Sequence, residues 1–423
     1  MGNKALVNGH HSVPLWLDIN HDGKDDLIVG GVEFGSPIAI DDPAFPYKEQ
    51  LNTFLQYARD NALDLNPHLF FHNFKSNEQE QGEIALHKQA FERLGIPWIT
   101  PGTNQHTWRT NFPDRLQTLN NERDQQIWYN FGFYPAHTPA LSRPEGIWSL
   151  PFLLQEADGK QAASPMLIHT PTPVLRLNQY STKHVFEAMA ELDMPIDYFE
   201  HIEYHFSPDP SRVAELTQFA DYFDKLRTQH DYNFMTETQM AKSFMNTLTS
   251  EVKVQRTWAV YLRDKLKDRL ASRNPHWNVT LKASTNDVPA QAGEYTNTLG
   301  VVIEKGKKYL PYNLRTDSSV YTLEDQRIYL GVSDSTSLSL QSSQDEMHLL
   351  RSNVPFKLTK SASGSQLELK AAGMQQIKLY SPEPLQFNGP ELKVEHNEQD
   401  KTYTITHYGQ PITIQMTQAG ISN

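Results

Sequence analysis

The chain has 423 residues, 38% of them hydrophobic and 11% aromatic, which is enough for about two domains with buried cores. Its 38 basic and 50 acidic residues give a formal net charge of −12, which argues against DNA, RNA or an anionic membrane surface as the partner. Because the chain contains no cysteine, disulfides, thiolate metal sites and cysteine nucleophiles are excluded.

The N-terminal part of the chain alternates short apolar runs with amphipathic segments. The apolar runs predict strands at 13–17, 27–31, 37–40, 68–71, 98–100, 127–131, 165–169, 196–206 and 234–236. Apolar residues at helical spacing predict helices at 47–61, 83–94, 116–126, 183–192, 211–229 and 237–246. This alternation is typical of an α/β parallel sheet or barrel, in which the chemistry lies at the carboxyl ends of the strands.

The pattern changes in the C-terminal part. After a helix predicted at 252–270, short alternating runs are separated by Ser, Gly, Asn and Asp. They predict strands at 277–281, 300–303, 327–330, 366–370, 376–380, 402–406 and 412–416. Many short strands at such spacing favour an all-β sandwich.

Carboxylates and imidazoles stand at the predicted carboxyl ends of several N-terminal strands. Asp41 and Asp42 end one strand, and His72, His106 and His201 end or follow three others. Amide hydrolysis needs a water made nucleophilic near neutral pH, and a divalent metal can do this by lowering the pKa of the water. A carboxylate can remove the proton of the water, and an acid must protonate the leaving amine. These residue types therefore predict a metal-dependent hydrolytic site.

Three motifs in this set resemble those of the NodB-type polysaccharide deacetylases, carbohydrate esterase family four and its relatives. They are Ile38-Ala-Ile-Asp-Asp-Pro43, Gln105-His-Thr-Trp-Arg-Thr110 and Pro195-Ile-Asp-Tyr-Phe-Glu-His201. The resemblance covers roughly residues 36–247 and is closest to the divergent deacetylases of Pel-type exopolysaccharide export systems. It implies metal-dependent N-deacetylation of a polysaccharide that contains N-acetylhexosamine.

The resemblance implies a role for each matching residue. Asp41 would be the general base, and His201 the acid that protonates the leaving group. Asp42 and His106 would be metal ligands. A carboxylate with imidazoles suits zinc, with cobalt or nickel as alternatives.

The sequence departs from the family at one ligand. The family's second metal histidine would fall at Thr110, so a third protein ligand must come from elsewhere or be absent. His72 is the candidate, with His87 on the next predicted helix as a second one. Substrate-binding roles are assigned to residues in or beside the motifs, namely Trp108, Arg109 and Glu203.

The resemblance also implies the fold and its boundaries. We expect an irregular (β/α)7-type deacetylase barrel followed by an all-β sandwich. The predicted domains are a strand–loop–strand segment at 1–35 packed on the barrel, the barrel at 36–250, a helical connector at 251–275 and the β-sandwich at 276–423.

Other interpretations of the same residues stay open. Asp41-Asp42 before Pro43 also fits a turn and a helix N-cap, and His72 fits an ordinary strand-end histidine. The predicted strand face that carries His201 and Glu203 also fits a polar network. Two alternative functions follow: a glycoside hydrolase that uses Asp41 and Glu203, and a non-catalytic carbohydrate-binding protein derived from a deacetylase.

A second motif predicts a structural calcium site. Asp18, Asn20, Asp22 and Asp26 alternate with other residues around Gly23, and such spacing places several oxygens around a hard cation. The flanking strands distinguish the loop from an EF-hand, and it resembles the calcium loops of FG-GAP repeats. A solvated acidic turn is the alternative.

The sequence also carries expectations about location and partners. It has no signal-peptide core near Met1 and no apolar run long enough to span a membrane. We expect the chain to be a mature or excised part of a periplasmic or extracellular protein. The expected partner is a polysaccharide, not a nucleic acid, and the expected state is a monomer.

Overall fold

The computed structural model describes two compact units. Unit 1 comprises Met1–Asp60 and Asp64–Tyr232, and unit 2 comprises Asn61–Leu63 and Asn233–Asn423. The structure describes residues 13–17, 26–30, 48–69, 76–99, 101–104, 114–132, 150–155, 159, 165–169, 180–192, 194–197, 210–230, 232, 234–270, 278–285, 299–304, 313–324, 326–332, 335–341, 346–361 and 364–419.

Unit 1 contains a strand pair, five helices and one small sheet within its described residues. The strand pair is β1 (Val13–Leu17) with β2 (Asp26–Gly30), joined antiparallel in the register Leu17↔Asp26. The helices are α1 (Lys48–Asp60), α2 (Asn77–Arg93), α3 (Arg115–Asp124), α4 (Tyr180–Glu191) and α5 (Pro210–Gln229). The sheet strands are β3 (Gly102–Thr103), β4 (Tyr129–Asn130), β5 (Phe152–Leu153) and β6 (Leu167–Ile168).

Local signals in the sequence set the ends of α2 and α3. The Ser76 hydroxyl accepts a hydrogen bond from the Gln79 amide at 3.2 Å, and Asp114 accepts one from the Leu116 amide at 3.0 Å. Each cap satisfies an amide that has no partner inside its helix. Gly95, which follows α2, has φ of 67°, a left-handed conformation that glycine adopts without strain.

The core of unit 1 lies between helices α2 and α3 and the small sheet. One buried cluster unites apolar side chains from these elements: Leu69, Ile84, Trp98, Leu119, Ile127, Leu154, Met166 and Ile168. A second cluster joins α4 to α5 through Phe186, Ala190, Phe219, Tyr222 and Leu226. The amphipathic spacing of the sequence places these side chains on inward faces.

The predicted (β/α)7 barrel is wrong. The described sheet of unit 1 has four strands in the order β3-β4-β6-β5, and its edge strand β5 runs antiparallel to β6. Its strands are two residues long. A barrel requires a continuous series of tilted strands that closes on itself. Strand–helix alternation cannot distinguish a closed barrel from a small open sheet, because both have the same local periodicity.

Unit 2 is rich in antiparallel strands and contains two described helices, α6 (Glu237–Thr249) and α7 (Trp258–Leu270). Its first eight strands are β7 (Ser250–Gln255), β8 (Asn278–Thr285), β9 (Leu299–Glu304), β10 (Asn313–Thr316), β11 (Tyr321–Leu323), β12 (Arg327–Val332), β13 (Thr336–Gln341) and β14 (His348–Ser352). The remaining strands are β15 (Phe356–Ser361), β16 (Gly364–Leu369), β17 (Gly373–Tyr380), β18 (Leu385–Asn388), β19 (Lys393–Asn397), β20 (Thr402–Gly409) and β21 (Ile412–Gln418).

The single β-sandwich predicted for 276–423 is also wrong. The described strands of unit 2 form four small antiparallel sheets, as many as the blades of a four-bladed β-propeller. Their orders are β10-β13-β8-β7, β11-β12-β9, β14-β17-β20-β19 and β15-β16-β21-β18. Alternation of apolar and polar residues predicts which side chains are buried, but not how many sheets the strands form.

Two separate cores hold these sheets. The first two sheets share a cluster made of Val279, Leu281, Ala283, Tyr321, Ile328, Leu330, Val332 and Leu338. The other two share a cluster that includes Leu349, Leu367, Leu369, Ile377, Leu379, Tyr403, Ile405, Ile414 and Met416. Each strand contributes alternate residues to its cluster, as the two-residue period of a strand requires.

The helix predicted at 252–270 begins only at Trp258. Residues Ser250–Gln255 form β7 instead, which pairs antiparallel with β8 in the register Val252↔Ala283. The segment Glu251-Val-Lys-Val-Gln255 alternates polar and apolar residues, a strand pattern. Of the described helices, none offers the run of about eighteen mostly apolar residues needed to cross a bilayer.

We expect Gly102→Ala to destabilise unit 1. Gly102 lies opposite Tyr129 in the parallel register, and a Cβ there would overlap the Tyr129 ring. Tyr129 is fully buried and has no free space to move into, so the cost should be about 1–3 kcal/mol. Thermal unfolding followed by circular dichroism measures the change.

Gly82→Ala is the matched control. Gly82 lies inside α2, and a Cβ there would meet nothing within 4 Å. Alanine should therefore stabilise the helix by about 0.5–1 kcal/mol. Equal melting temperatures for the two variants would contradict the packing argument.

Candidate functional site

The carboxyl ends of three parallel strands meet at one edge of the sheet in unit 1. β3 pairs with β4 in the register Thr103↔Asn130, and β4 pairs with β6 in the register Asn130↔Ile168. The edge continues through backbone hydrogen bonds from Phe131 to Thr103 and from His169 to Asn130, both 2.9 Å. In open parallel sheets, ligands bind at this edge.

A fourth segment, residues 66–69, runs beside β3 in the same direction. The Asn66 side chain accepts a hydrogen bond from the Gly102 amide at 3.0 Å, and the Thr103 hydroxyl donates to the Pro67 carbonyl at 2.9 Å. The His68 ring is hydrogen-bonded to the Asn104 carbonyl. Residues 66, 67 and 68 are thus bonded in turn to residues 102, 103 and 104, so the two segments run in the same direction. The end of the segment 66–69 therefore lies at the same edge of the sheet as Asn104.

A buried histidine and a buried aspartate meet at this edge. Nε2 of His169 lies 3.5 Å from Oδ2 of Asp197, and the two side chains are 3% and 4% exposed. The His169 ring also packs edge-on against Phe131, with ring centroids 5.0 Å apart. A carboxylate beside an imidazole can orient the ring, an arrangement used for proton transfer and for support of neighbouring groups.

The sequence analysis missed His169 and Asp197 as site residues. One feature of the sequence could have identified His169. It ends the predicted strand at 165–169, just as the candidate histidines end or follow other predicted strands. Asp197 lies inside the motif Pro195–His201, but the resemblance assigns it no role. Only the fold shows that residues 28 positions apart in the sequence are in contact.

Beneath this edge, two buried carboxyl groups occupy one polar network. Glu80 of α2 accepts hydrogen bonds from Gln117 at 2.8 Å, from Asn121 at 2.9 Å and from the Thr118 hydroxyl. Glu122 of α3 accepts bonds of 2.9 and 3.1 Å from the side-chain amide of Asn130.

Burial raises the pKa of Glu122 to about 8, although the Asn130 bonds favour its charged form and oppose that rise. The negative charge of Glu80 raises that pKa further. Glu122 is therefore mostly protonated at neutral pH. The network is enclosed by α2, α3 and β4, so we interpret it as a structural link between the helices and the sheet.

The predicted site residues lie outside the described part of the chain. This holds for the proposed catalytic and metal residues Asp41, Asp42, His72, His106 and His201, and for the substrate residues Trp108, Arg109 and Glu203. It also holds for Asp18, Asn20 and Asp22 of the calcium loop. Asp26 is described only as the first residue of β2, paired with Leu17. These assignments remain predictions.

His87, the second candidate for the third ligand, lies within the described residues. It is a buried residue of α2, and its Nδ1 is hydrogen-bonded to the Glu83 carbonyl at 2.8 Å. Burial lowers the pKa of His87, so the ring is neutral at pH 7. Within the described residues, no group of three or more His, Asp or Glu side chains could hold a metal ion.

Unit 2 contains a cavity of about 430 Å³ lined by α6, three strands and residues 350–356. Two of its polar side chains are already engaged: Gln239 donates to the Met374 carbonyl at 2.7 Å, and Asn353 donates to the Phe234 and Met374 carbonyls. These bonds tie α6 and the chain before it to β17. Its described titratable lining residues are Tyr321, Tyr329 and Arg351, without a carboxylate or an imidazole, so the edge in unit 1 is the better candidate site.

No protein-family model, no curated protein and no solved structure matches the chain.

We expect the stability of unit 1 to fall as pH rises from about 5 to about 8. Glu122 keeps its proton up to about pH 8 when folded, whereas its unfolded pKa is 4.5. In that window the folded state binds more protons, so the free energy of unfolding decreases with pH, by a few kcal/mol. Thermal unfolding measured at a series of pH values tests this.

Glu122→Gln should flatten that dependence, because the amide cannot ionise and keeps the size of the protonated acid. Glu92→Gln, on the exposed side of α2, is the control and should leave the slope unchanged. Parallel pH profiles for wild type and Glu122→Gln would rule Glu122 out as the cause.

Proposed function

We propose that this chain is a metal-dependent deacetylase that removes acetyl groups from a polysaccharide containing N-acetylhexosamine. One observation carries the proposal: Asp41, Asp42, His106 and His201 stand in three motifs that resemble those of NodB-type deacetylases, each motif in or after a predicted strand. The pattern combines a base, metal ligands and an acid, which are the groups that amide hydrolysis requires.

The described residues next to these motifs support the proposal. Asn104, at the carboxyl edge of β3, stands two positions before His106 in the sequence. Asp197, which contacts His169 just after β6, stands four positions before His201 in the same motif. Two of the three motifs thus lie close in sequence to residues at the carboxyl edge of the sheet. In parallel sheets, this edge is where ligands bind.

We assign His169 and Asp197 a positioning role. Both side chains are almost fully buried, so they are not suited to contact a polymer directly. Their contact ties the beginning of the motif Pro195–His201 to the end of β6. A motif anchored in this way keeps its acid in a constant orientation, which proton transfer requires.

The donor set proposed for the metal is Asp42, His106 and His72. One carboxylate with two imidazoles is a common ligand set for zinc, and it leaves a position open for water. A bound metal would lower the pKa of that water and polarise the acetyl carbonyl. Asp41 would accept the proton of the water, and His201 would donate one to the departing amine.

Acetate release from oligomers of N-acetylglucosamine and of N-acetylgalactosamine tests the proposal. The protein is first treated with a chelator, and zinc, cobalt or nickel is then added back. We expect a metal to restore activity in the wild type, and Asp42→Asn to lower it by about 100-fold or more, because a metal ligand is lost. Asp60→Asn, at the exposed end of α1, is the matched control and should keep full activity.

The outcomes separate the alternatives. Failure to release acetate with any metal, together with retained binding of the oligomers, would indicate a carbohydrate-binding protein. New reducing ends without acetate would indicate a glycoside hydrolase. Equal loss of activity in Asp42→Asn and Asp60→Asn would remove the assignment of Asp42 as a ligand.

A further inference from the structure

Helix α7 of unit 2 presents a row of large apolar side chains to solvent. Trp258, Leu262, Leu266 and Leu270 are 70%, 48%, 60% and 78% exposed. They recur every four residues, so they form one continuous stripe along the helix. We call these four residues the α7 stripe. Exposed apolar patches of this kind mark interaction sites on most soluble proteins.

The opposite face of α7 carries a buried carboxylate. Asp264 is 1% exposed and accepts a hydrogen bond of 2.9 Å from Arg256. At about 100° per residue, the α7 stripe covers a sector of about 120° centred opposite Asp264. The stripe is therefore the outward face of a helix whose inward face is already engaged.

Basic residues accompany the stripe. The helix contains Arg263, Lys265, Lys267 and Arg269 against Asp264 and Asp268, a formal balance of 4 − 2 = +2 in a chain of −12. By helical geometry Lys265 and Arg263 flank the two sides of the apolar sector, and the exposed Arg269 lies within it beside Leu270, at the end of the helix. Lys265 also lies over the Tyr261 ring, with its Nζ 5.0 Å from the centroid.

We propose that α7 docks on a lipid surface that carries anionic headgroups. An apolar sector about 120° wide suits a flat surface better than the narrow seam of a coiled coil. Long basic side chains on both flanks can reach headgroup phosphates while the leucines enter the acyl region.

Charge argues against a second copy of this helix as the occupant. Two such helices side by side would bring Arg263, Lys265 and their counterparts together, and like charges at close range oppose association. The net charge of the whole chain does not prevent lipid docking, because charges more than about 10 Å from the surface are screened at physiological salt.

The docked helix would lie in the plane of the membrane. With 13 residues it is about 20 Å long, shorter than the roughly 30 Å core of a bilayer. Trp258, at its first position, has the aromatic side chain that concentrates at membrane interfaces.

Co-sedimentation of the full chain with lipid vesicles tests the proposal. Vesicles of phosphatidylcholine alone are compared with vesicles that contain about 30% phosphatidylglycerol, at low and at high salt. We expect binding to the anionic vesicles, weakened by salt. Leu262→Glu with Leu266→Glu should lower the partition coefficient by at least about tenfold, and each of Arg263→Gln and Lys265→Gln by about fivefold.

Leu192→Glu is the matched control, because Leu192 is a leucine in unit 1 that is 67% exposed. It should bind vesicles as the wild type does. Equal binding to neutral and anionic vesicles, or no effect of the α7 substitutions, would overturn the proposal. The proposal would also be overturned if the chain did not bind vesicles and light scattering showed a dimer that Leu266→Glu converts to a monomer. These measurements involve no deacetylation, so their outcome is independent of the proposed function.

Discussion

The organisation of unit 1 depends on how the polar groups of very short strands are satisfied. β3, β4 and β6 are two residues long, so their backbone ladders supply few hydrogen bonds. Side chains complete the pairing: Asn66 accepts from Gly102, Thr103 donates to Pro67, and Asn130 accepts from Gly132. Each buried group left unpaired would cost about 1–3 kcal/mol, so these bonds determine the strand register. The register in turn determines which residues share the carboxyl edge.

The same constraint explains the buried acids beneath that edge. Glu80 receives three side-chain hydrogen bonds from α3. Glu122 receives bonds only from Asn130 among the described donors. Burial is the main cause that raises the pKa of Glu122, and the neighbouring Glu80 raises it further, so Glu122 keeps its proton at neutral pH. The polar network thereby joins α2 and α3 to the sheet without an unpaired buried charge.

Unit 2 follows a different principle, because its longer antiparallel strands bury apolar residues in two separate cores. Its polar contacts serve as links between elements, as Gln239 and Asn353 do between the start of α6 and β17. Helix α7 is the exception, since the side chains of the α7 stripe face solvent while the carboxylate of Asp264 is buried. An apolar face exposed at the surface lowers solubility. A docking role therefore explains the α7 stripe better than packing within the unit does. The two proposals thus concern different units, a polymer-processing edge in unit 1 and a lipid contact in unit 2.

The sequence by itself determined the local features of this protein. Apolar spacing predicts α6, and alternation predicts β17, β20 and β21 within a few residues. The sequence also has carboxylates and imidazoles at the ends of predicted strands of the N-terminal part. The number and grouping of sheets, the open sheet in place of a barrel, and the strand at Ser250–Gln255 were decided by tertiary pairing. Periodicity reports which face of an element is buried, but not the element against which it packs. For the same reason only the folded chain brings His169 to Asp197 and leaves the α7 stripe exposed, because both depend on contacts between residues far apart in sequence.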